Sequence, residues 1–494
     1  MQLVSLPETR AQADPDGRAV SDATRTLTNA QFRDEVRAAA EHLRELGIGP
    51  GAVVALRLTN RIEFVTLLFA AWRLGATITP VNPSLTAGEV ERQLTDSDAR
   101  LAVIEDDAAP VSSTETLRVG DLRRTSRRAL EVPRTDPRDL ALLIYTSGTT
   151  GVPKGVMLDH ANLDAMISMG RLVLELGAAD RCLLILPLFH VNGIVISVLL
   201  PLCAGASVVI AERFDPTDFF DRVAAERPTY FSAVPTIFAM LAALPPDVAP
   251  ETSTVRYAIC GAAPAAPALL ERFEARYGFP VVEGYGLSEA TCGVTINPIA
   301  GPRRPGTVGS AFPGQEVRIL DGDGSEVPLG VPGEVVVRGP NVMRGYLGRP
   351  EETAKVLVDG WLRTGDLGYL DGDGYLTLVG RSKDLIIRGG ANIYPKEIED
   401  VLAAHPAVQE AAVIGAPDPV WGEVVVAYVE AAPGHVVDPV TVAVHCERHL
   451  SGYKRPVELH VLDVLPRNAL GKVAKPALRE RHAATEGEPA GSGV

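Results

Sequence analysis

The chain has 494 residues, of which 46% are hydrophobic and 22% charged, and its formal net charge is −15. That length exceeds one compact core, so two or three domains are expected. The acidic balance argues against a nucleic-acid partner, because no basic excess exists to neutralise a phosphate backbone, whereas a nucleotide substrate needs only a few local charges.

Met1 to Asp16 has neither an early positive charge nor a continuous apolar core, so no signal peptide is expected there. From the N-terminus to about residue 280, short β-branched runs alternate with longer amphipathic ones. Val53 to Leu56 reads as a strand, Glu63 to Leu74 as a helix and Leu101 to Ile104 as the next strand. Ser112 to Arg134 reads as irregular. Leu142 to Ile144 is a buried strand leading into Tyr145-Thr146-Ser147-Gly148-Thr149-Thr150-Gly151-Val152-Pro153-Lys154-Gly155. Glycines in such a run let backbone N–H groups converge on an anion, hydroxyls add donors and Lys154 supplies charge. A Gly/Thr tract by itself also reads as a surface turn. The run is not a Walker A loop, since Pro153 and Gly155 flank the lysine.

Strands follow at Leu183 to Leu186, Ser207 to Ile210, Tyr230 to Ala233 and Arg256 to Ile259, with helical patterns at Val191 to Leu202, Asp215 to Arg227 and Pro267 to Tyr277. This alternation predicts parallel sheets covered by helices. The apolar run Val191 to Leu202 is too short to span a bilayer. After roughly residue 300, strands at Val317 to Leu320, Glu334 to Val337 and Tyr375 to Leu378 are separated by tight Asp-Gly-Asp-Gly turns at 321–324 and 371–374. They predict an antiparallel, barrel-like subdomain; neither turn leads to the glutamate that would complete an EF-hand loop. Beyond Gly380-Arg381-Ser382-Lys383-Asp384 a unit of about a hundred residues begins, a normal size for a small domain. It reads as a hairpin near Leu385 to Arg388, helices at Pro395 to Ala404 and Thr441 to Leu450, and strands at Ala411 to Ile414, Val424 to Val429 and Val457 to Leu462. The expected division is 1–381, 382–482 and a disordered tail, 483–494. Five scattered cysteines without a CxxC pair read as reduced core residues, without a zinc site or disulfide framework.

Thr-Ser-Gly-Thr-Thr-Gly-x-Pro-Lys-Gly resembles the phosphate loop of the acyl-adenylate-forming superfamily, which includes acyl-CoA synthetases, peptide-synthetase adenylation domains and luciferases. Further matches in the same order extend the resemblance over nearly the whole chain. It implies an α/β fold: a large N-terminal domain of two helix-covered sheets plus a β-barrel-like subdomain, with a small mobile α+β C-terminal domain. Thr146, Ser147, Gly148, Thr149, Thr150 and Lys154 would bind the ATP phosphates. Glu283-Gly284-Tyr285-Gly286-Leu287-Ser288-Glu289 matches the adenine motif: Tyr285 would stack on the base, Ser288 touch phosphate and Glu289 hold Mg²⁺, which takes oxygen ligands. Read alone, Glu289 is a solvated turn residue. Gly261, Ala262 and Ala263 would frame the adenine. Asp366 would accept from both ribose hydroxyls and Arg381 would donate to the ribose. Lys383 matches the hinge, although a solvated linker lysine is the alternative. Lys472, in Pro466-Arg467-Asn468-Ala469-Leu470-Gly471-Lys472, matches the lysine inserted for adenylation, where an ammonium offsets repulsion between carboxylate and phosphate. His190 matches a position beside the acyl tunnel and thiol path; a core or N-capping imidazole is the other reading.

The family's reaction converts an acid and MgATP to acyl-adenylate and pyrophosphate, after which a nucleophile displaces AMP. Amino-acid-activating relatives carry Phe-Asp where this chain has Phe189-His190, and malonate-activating ones carry Arg where it has Gly284. Val234, Thr236, Cys292, Gly293 and Val294 are uncharged and suit an apolar acyl or aryl group. Arg388-Gly389-Gly390-Ala391-Asn392-Ile393-Tyr394-Pro395 resembles the pantetheine-tunnel loop of bacterial CoA ligases, with Ala391 in place of Glu, and Ile387 stands where luciferases and coumarate ligases have Lys. The resemblance therefore implies an acid–thiol ligase using ATP, Mg²⁺ and CoA, with an amine or a carrier-protein thiol as the alternative acceptor. A cytoplasmic enzyme, monomeric or homodimeric and without a transmembrane segment, is expected.

Overall fold

The computed structural model describes residues 3–125, 136–146, 153–263, 265–467 and 472–486. The chain divides into two units, the first comprising Met1–Ala262, Phe273–Val317 and Val337–Arg363, and the second Ala263–Arg272, Arg318–Val336 and Thr364–Val494.

The first unit is built on two mainly parallel sheets, the first with antiparallel pairs at both edges and the second with them at one edge only. One runs in the order Ser310–Ala311, Thr295–Ile296, Val281–Tyr285, Tyr257–Cys260, Tyr230–Ala233, Arg181–Leu184, Ser207–Ile210, Arg18–Ser21, Thr26–Thr28. The other runs Gly345–Tyr346, Lys154–Asp159, Leu140–Thr146, Thr77–Pro80, Val53–Arg57, Ala99–Ile104, Glu115–Arg118. The central strands Tyr230–Ala233, Tyr257–Cys260 and Thr77–Pro80 are buried at every position, as strands covered on both faces are. Every residue of the helix Ile62–Arg73 is buried. Its Phe69 and Trp72 rings link Phe32 to His160 through edge-to-face contacts, and Trp72 Nε1 donates to the Ala141 carbonyl at 2.9 Å. That bond ties the helix to the strand leading into the phosphate motif.

In the second unit, Leu376–Arg381 pairs antiparallel with Trp361–Leu370. Both Asp-Gly-Asp-Gly segments are the expected turns. Asp321 Oδ1 accepts from the N–H groups of Asp323 and Ser325, and Asp371 Oδ1 from those of Asp373 and Tyr375, all at 2.9 Å. The C-terminal sheet runs Ala391–Ile393, Ile386–Arg388, Gly422–Ala431, Val408–Asp418, with Glu458–Leu462 parallel to Gly422–Ala431 on its other side. Alternation along that long strand sends Val425, Ala427 and Val429 to the core shared with Ile398, Leu402 and Val442. Val426 and Tyr428 face the core shared with Leu478. Helices therefore cover both faces. The α/β class, with a large sheet-rich N-terminal part and a smaller C-terminal one, is as expected.

Three local readings are corrected. Ser112 to Arg134 is not irregular throughout: Glu115–Arg118 extends the second sheet in parallel with Ala99–Ile104. Only Leu117 of that edge strand is buried, so it lacks a hydrophobic pattern to announce it; residues 126–134 lie outside the described residues. The expected disordered tail does not begin at 483, because an unexpected helix, Lys475–Glu486, runs into it and is held by Leu478 in the core. Residues 487–494 lie outside the described residues. Finally, Val191 to Leu202 is an α-helix only at its ends, with a π-helical segment over Val195–Leu199. It sits just before Pro201, whose missing N–H interrupts the i→i+4 ladder.

Candidate active site

In the first unit, Thr146 and Lys154 face each other in register on antiparallel strands. Ser147, Gly148, Thr149 and Thr150 lie outside the described residues. Gly155 is closely packed, since a Cβ there would lie 2.9 Å from Leu143 Cδ1 and 3.2 Å from the ring of its cross-strand partner Tyr145. The Lys154 ammonium pairs with the Glu352 carboxylate and stands 5.1 Å from the centroid of the Tyr346 ring. The Tyr346 hydroxyl in turn donates to Glu289 Oε1 at 2.8 Å. Lys154 and Glu289, far apart in sequence, are thus joined through one aromatic side chain.

Glu289 lies in a 3₁₀ turn, Ser288–Ala290, just past the strand Val281–Tyr285 that carries Glu283, Gly284 and Tyr285. Tyr285 is buried and Ser288 and Glu289 are half-buried. The turn is clamped by its neighbours. Met343 N donates to the Glu289 carbonyl at 2.8 Å, Asn341 Nδ2 to that of Ala290 at 2.6 Å, and Thr291 Oγ1 to that of Asn341 at 2.5 Å. Strain is concentrated here, as it often is at functional turns: Thr291 and Cys292 take φ of 50° and 93°. Gly286 admits no side chain, because a Cβ would fall 1.5 Å from the Cys292 carbonyl oxygen. Gly261 and Ala262 follow the strand Tyr257–Cys260, and Ala262 adopts a left-handed φ of 69°. Ala263 continues the chain as a half-buried bend.

His190 occupies the N-cap position of the helix Val191–Ile194, yet its side chain makes no cap hydrogen bond. That removes the N-capping reading. Its ring lies 4.3 Å from that of Phe189, and it is half-buried. Of the candidate acid-pocket residues, Cys292 is buried and its thiol is pushed up to about 12 by burial, so it stays protonated. A Cβ on Gly293 would touch the Phe312 ring at 3.0 Å and Met166 Cε at 3.1 Å. Those two apolar neighbours were not legible from the sequence.

In the second unit, Asp366 and Arg381 face each other across the paired strands, and Arg381 Nε reaches Asp366 Oδ1 at 2.8 Å. Asp366 is buried. Gly365, with φ of 70°, turns the backbone just before it. Lys472 lies within electrostatic reach of this pair. Burial lowers its pKa from the ordinary lysine value, the Arg381 charge lowers it further and Asp366 partly offsets both. Lys383 is exposed in the 3₁₀ turn Ser382–Asp384. Gly389 and Gly390, with φ of 58° and 82°, form the turn between Ile386–Arg388 and Ala391–Ile393. A Cβ on Gly389 would meet the Trp421 ring at 3.0 Å. The ring of Trp421 also lies under the Arg388 guanidinium at 5.6 Å.

This set of groups decides the comparison with known proteins. Residues 7–347 match the AMP-binding enzyme family, and 397–472 match the AMP-binding enzyme C-terminal domain. The chain belongs to the AMP-binding enzyme family. A feruloyl-CoA synthase of Amycolatopsis sp is 38% identical over 97% of this chain and 99% of its own. An oxalate–CoA ligase of Arabidopsis thaliana is 37% identical over 96% and 97%. The crystal structure of ATP-bound MatB from Rhodopseudomonas palustris, 33% identical, superposes with a TM-score of 0.91 over 97% of this chain and 98% of that one. For a member of this family, Glu289 fits a magnesium site: it is a hard oxygen donor, and the Tyr346 hydroxyl fixes one of its two oxygens. Among the described residues, the group of His, Cys, Asp and Glu side chains close enough to share an ion is Glu458, His460 and His482. It includes none of the candidate site residues named above. No helix among the described residues is long and apolar enough to cross a membrane.

Proposed function

We propose that this protein is an ATP-dependent acid–thiol ligase: it activates an apolar or aryl carboxylic acid to the acyl-adenylate, releasing pyrophosphate, and transfers the acyl group to CoA. The observation that carries the reading is the grouping of Lys472 with Asp366 and Arg381. Asp366 accepts from the ribose hydroxyls and Arg381 donates to the same sugar, so the lysine beside them is held near the α-phosphate of a bound nucleotide. There the substrate carboxylate attacks phosphorus, and the Lys472 ammonium offsets the charge gathered between the two anions. Lys154 and the hydroxyls and amides of the motif from Thr146 to Thr150 hold the departing β- and γ-phosphates. Mg²⁺ on Glu289 neutralises phosphate charge when bound.

In the second step the CoA thiol attacks the acyl carbonyl and AMP leaves. Gly389 and Gly390 line the pantetheine path, Lys383 is the hinge of a mobile domain, and His190 stands beside the acyl group. The uncharged set Val234, Thr236, Cys292, Gly293 and Val294, backed by Phe312 and Met166, suits an acid without a second charge. A cytoplasmic setting, where ATP and CoA are available, suits five cysteines that are all buried and free. The test is to incubate the protein with MgATP and a panel of fatty, aryl and dicarboxylic acids. Pyrophosphate release is followed first, then products with CoA, an amine or a carrier protein are identified by mass spectrometry. Acyl-CoA is the expected product. If no acid releases pyrophosphate, the assignment fails; a product formed only with amine or carrier protein replaces the acceptor.

A further inference from the structure

We propose that Tyr346 is a positioning residue that aligns the magnesium carboxylate Glu289 and the triphosphate lysine Lys154 with a single side chain. The inference rests on the reading of Glu289 and Lys154 given above. Tyr346 ends the two-residue edge strand Gly345–Tyr346, which pairs with Lys154–Asp159 in the register Tyr346 to Val156. Its place is fixed on both sides of the backbone. Tyr346 N donates to Thr353 Oγ1 at 2.9 Å, and Leu347 N donates to the Gly155 carbonyl at 2.8 Å. Gly345, at φ of 140°, brings the chain so close to Thr353 that a Cβ would lie 2.6 Å from it.

From this anchored position the ring does two things. Its hydroxyl donates to Glu289 Oε1, which leaves the other carboxylate oxygen to take a cation. Its face lies beneath the Lys154 ammonium, a contact that holds the cation without spending one of its hydrogen bonds. The same short segment also grips the Glu289 backbone through Met343. Partners behind a metal ligand restrict its rotamers and tune its basicity, and their loss typically weakens metal binding about 10- to 100-fold.

The two contacts separate by mutation. Tyr346→Phe keeps the ring beneath Lys154 and loses the hydroxyl, whereas Tyr346→Leu loses both. ATP binding to the full-length protein is measured by calorimetry, in EDTA and across a Mg²⁺ titration, with thermal unfolding as a control. Tyr346→Phe is expected to need on the order of 10-fold more Mg²⁺ for half-maximal enhancement of ATP binding, with metal-free ATP affinity unchanged. Tyr346→Leu is expected to weaken metal-free ATP binding as well. Glu289→Gln serves as the reference and should abolish the enhancement. If Glu289→Gln abolishes it while Tyr346→Phe leaves the Mg²⁺ dependence of the wild type, the positioning role is wrong and the site reading stands. If Glu289→Gln keeps the enhancement, the site reading itself falls and takes the proposal with it. Equal losses with and without Mg²⁺ in Tyr346→Phe would mark Tyr346 as merely structural and overturn the proposal.

Discussion

At Lys472 the surroundings work against the charge that the proposed chemistry needs. Burial and Arg381 both favour the neutral amine, and Asp366 opposes them. Only the protonated form can offset the repulsion of carboxylate and phosphate. Adenylation should therefore decline as pH rises through the depressed pKa, at lower pH than an exposed lysine would give. Lys472→Arg, with a charge that persists to high pH, should carry that decline further into the alkaline range. Lys472→Ala should lower pyrophosphate release about 10²- to 10³-fold, and a pH–rate profile of all three proteins separates charge from packing. If the alanine variant adenylates like the wild type, the role given to this lysine is wrong. The match to the family pointed to this residue, but nothing local to its loop shows that it feels the charges of Arg381 and Asp366.

The helix His160–Leu174 shows how an element can carry a pH dependence unrelated to catalysis. It starts with a capping box in which Asp159 and Asn162 satisfy each other's backbone N–H groups, and its first residue is His160. Burial against Trp72 lowers the His160 pKa from 6.5 to about 4, with Asp139 pulling weakly the other way. Between those two values the unfolded chain binds a proton that the folded chain refuses. Stability is therefore full above pH 6.5 and is lost as pH falls towards 4, by up to about 3 kcal/mol. Urea titrations at pH 7 and pH 5 should show the loss, and His160→Asn should flatten it. An equally steep dependence in the variant would assign the effect to other groups. Pro267–Tyr277 was readable from sequence because its buried Leu270, Phe273 and Tyr277 recur at helical spacing, and Ile62–Arg73, buried on all sides, because its apolar run is too long for a strand. Glu115–Arg118 was not, since one buried leucine makes no period and pairing with Ala99–Ile104 supplies the rest. The helix Lys475–Glu486 has no counterpart among the elements expected from sequence, because small and charged residues dominate it and its Leu478 is anchored by residues distant in the chain.

For the whole molecule, the proposed cycle needs one half-reaction with Lys472 at the nucleotide and another with the Gly389–Gly390 turn beside the thiol. Lys383 is exposed, in a short 3₁₀ turn without buried residues whose Asp384 pairs with Arg479. The proposed hinge requires its backbone to absorb a rotation. Lys383→Pro fixes φ near −65° and should impair acyl-CoA formation more than pyrophosphate release. Measuring the two rates side by side tests this, and equal losses would place the hinge elsewhere.

The sequence by itself determined the family, the alternation that builds the parallel sheets, and the residue types offered to phosphate, ribose and magnesium. These are legible because phosphate turns, capping residues and Asp-Gly turns depend on a few adjacent side chains. Only the tertiary structure decided which of those groups meet. Tyr346 and Glu352 carry no local signal, and they reach Glu289 and Lys154 because a two-residue edge strand pairs with Lys154–Asp159. Strand register and the close approach at Gly345 set that meeting. Both depend on long-range pairing, and no run of neighbouring residues encodes them.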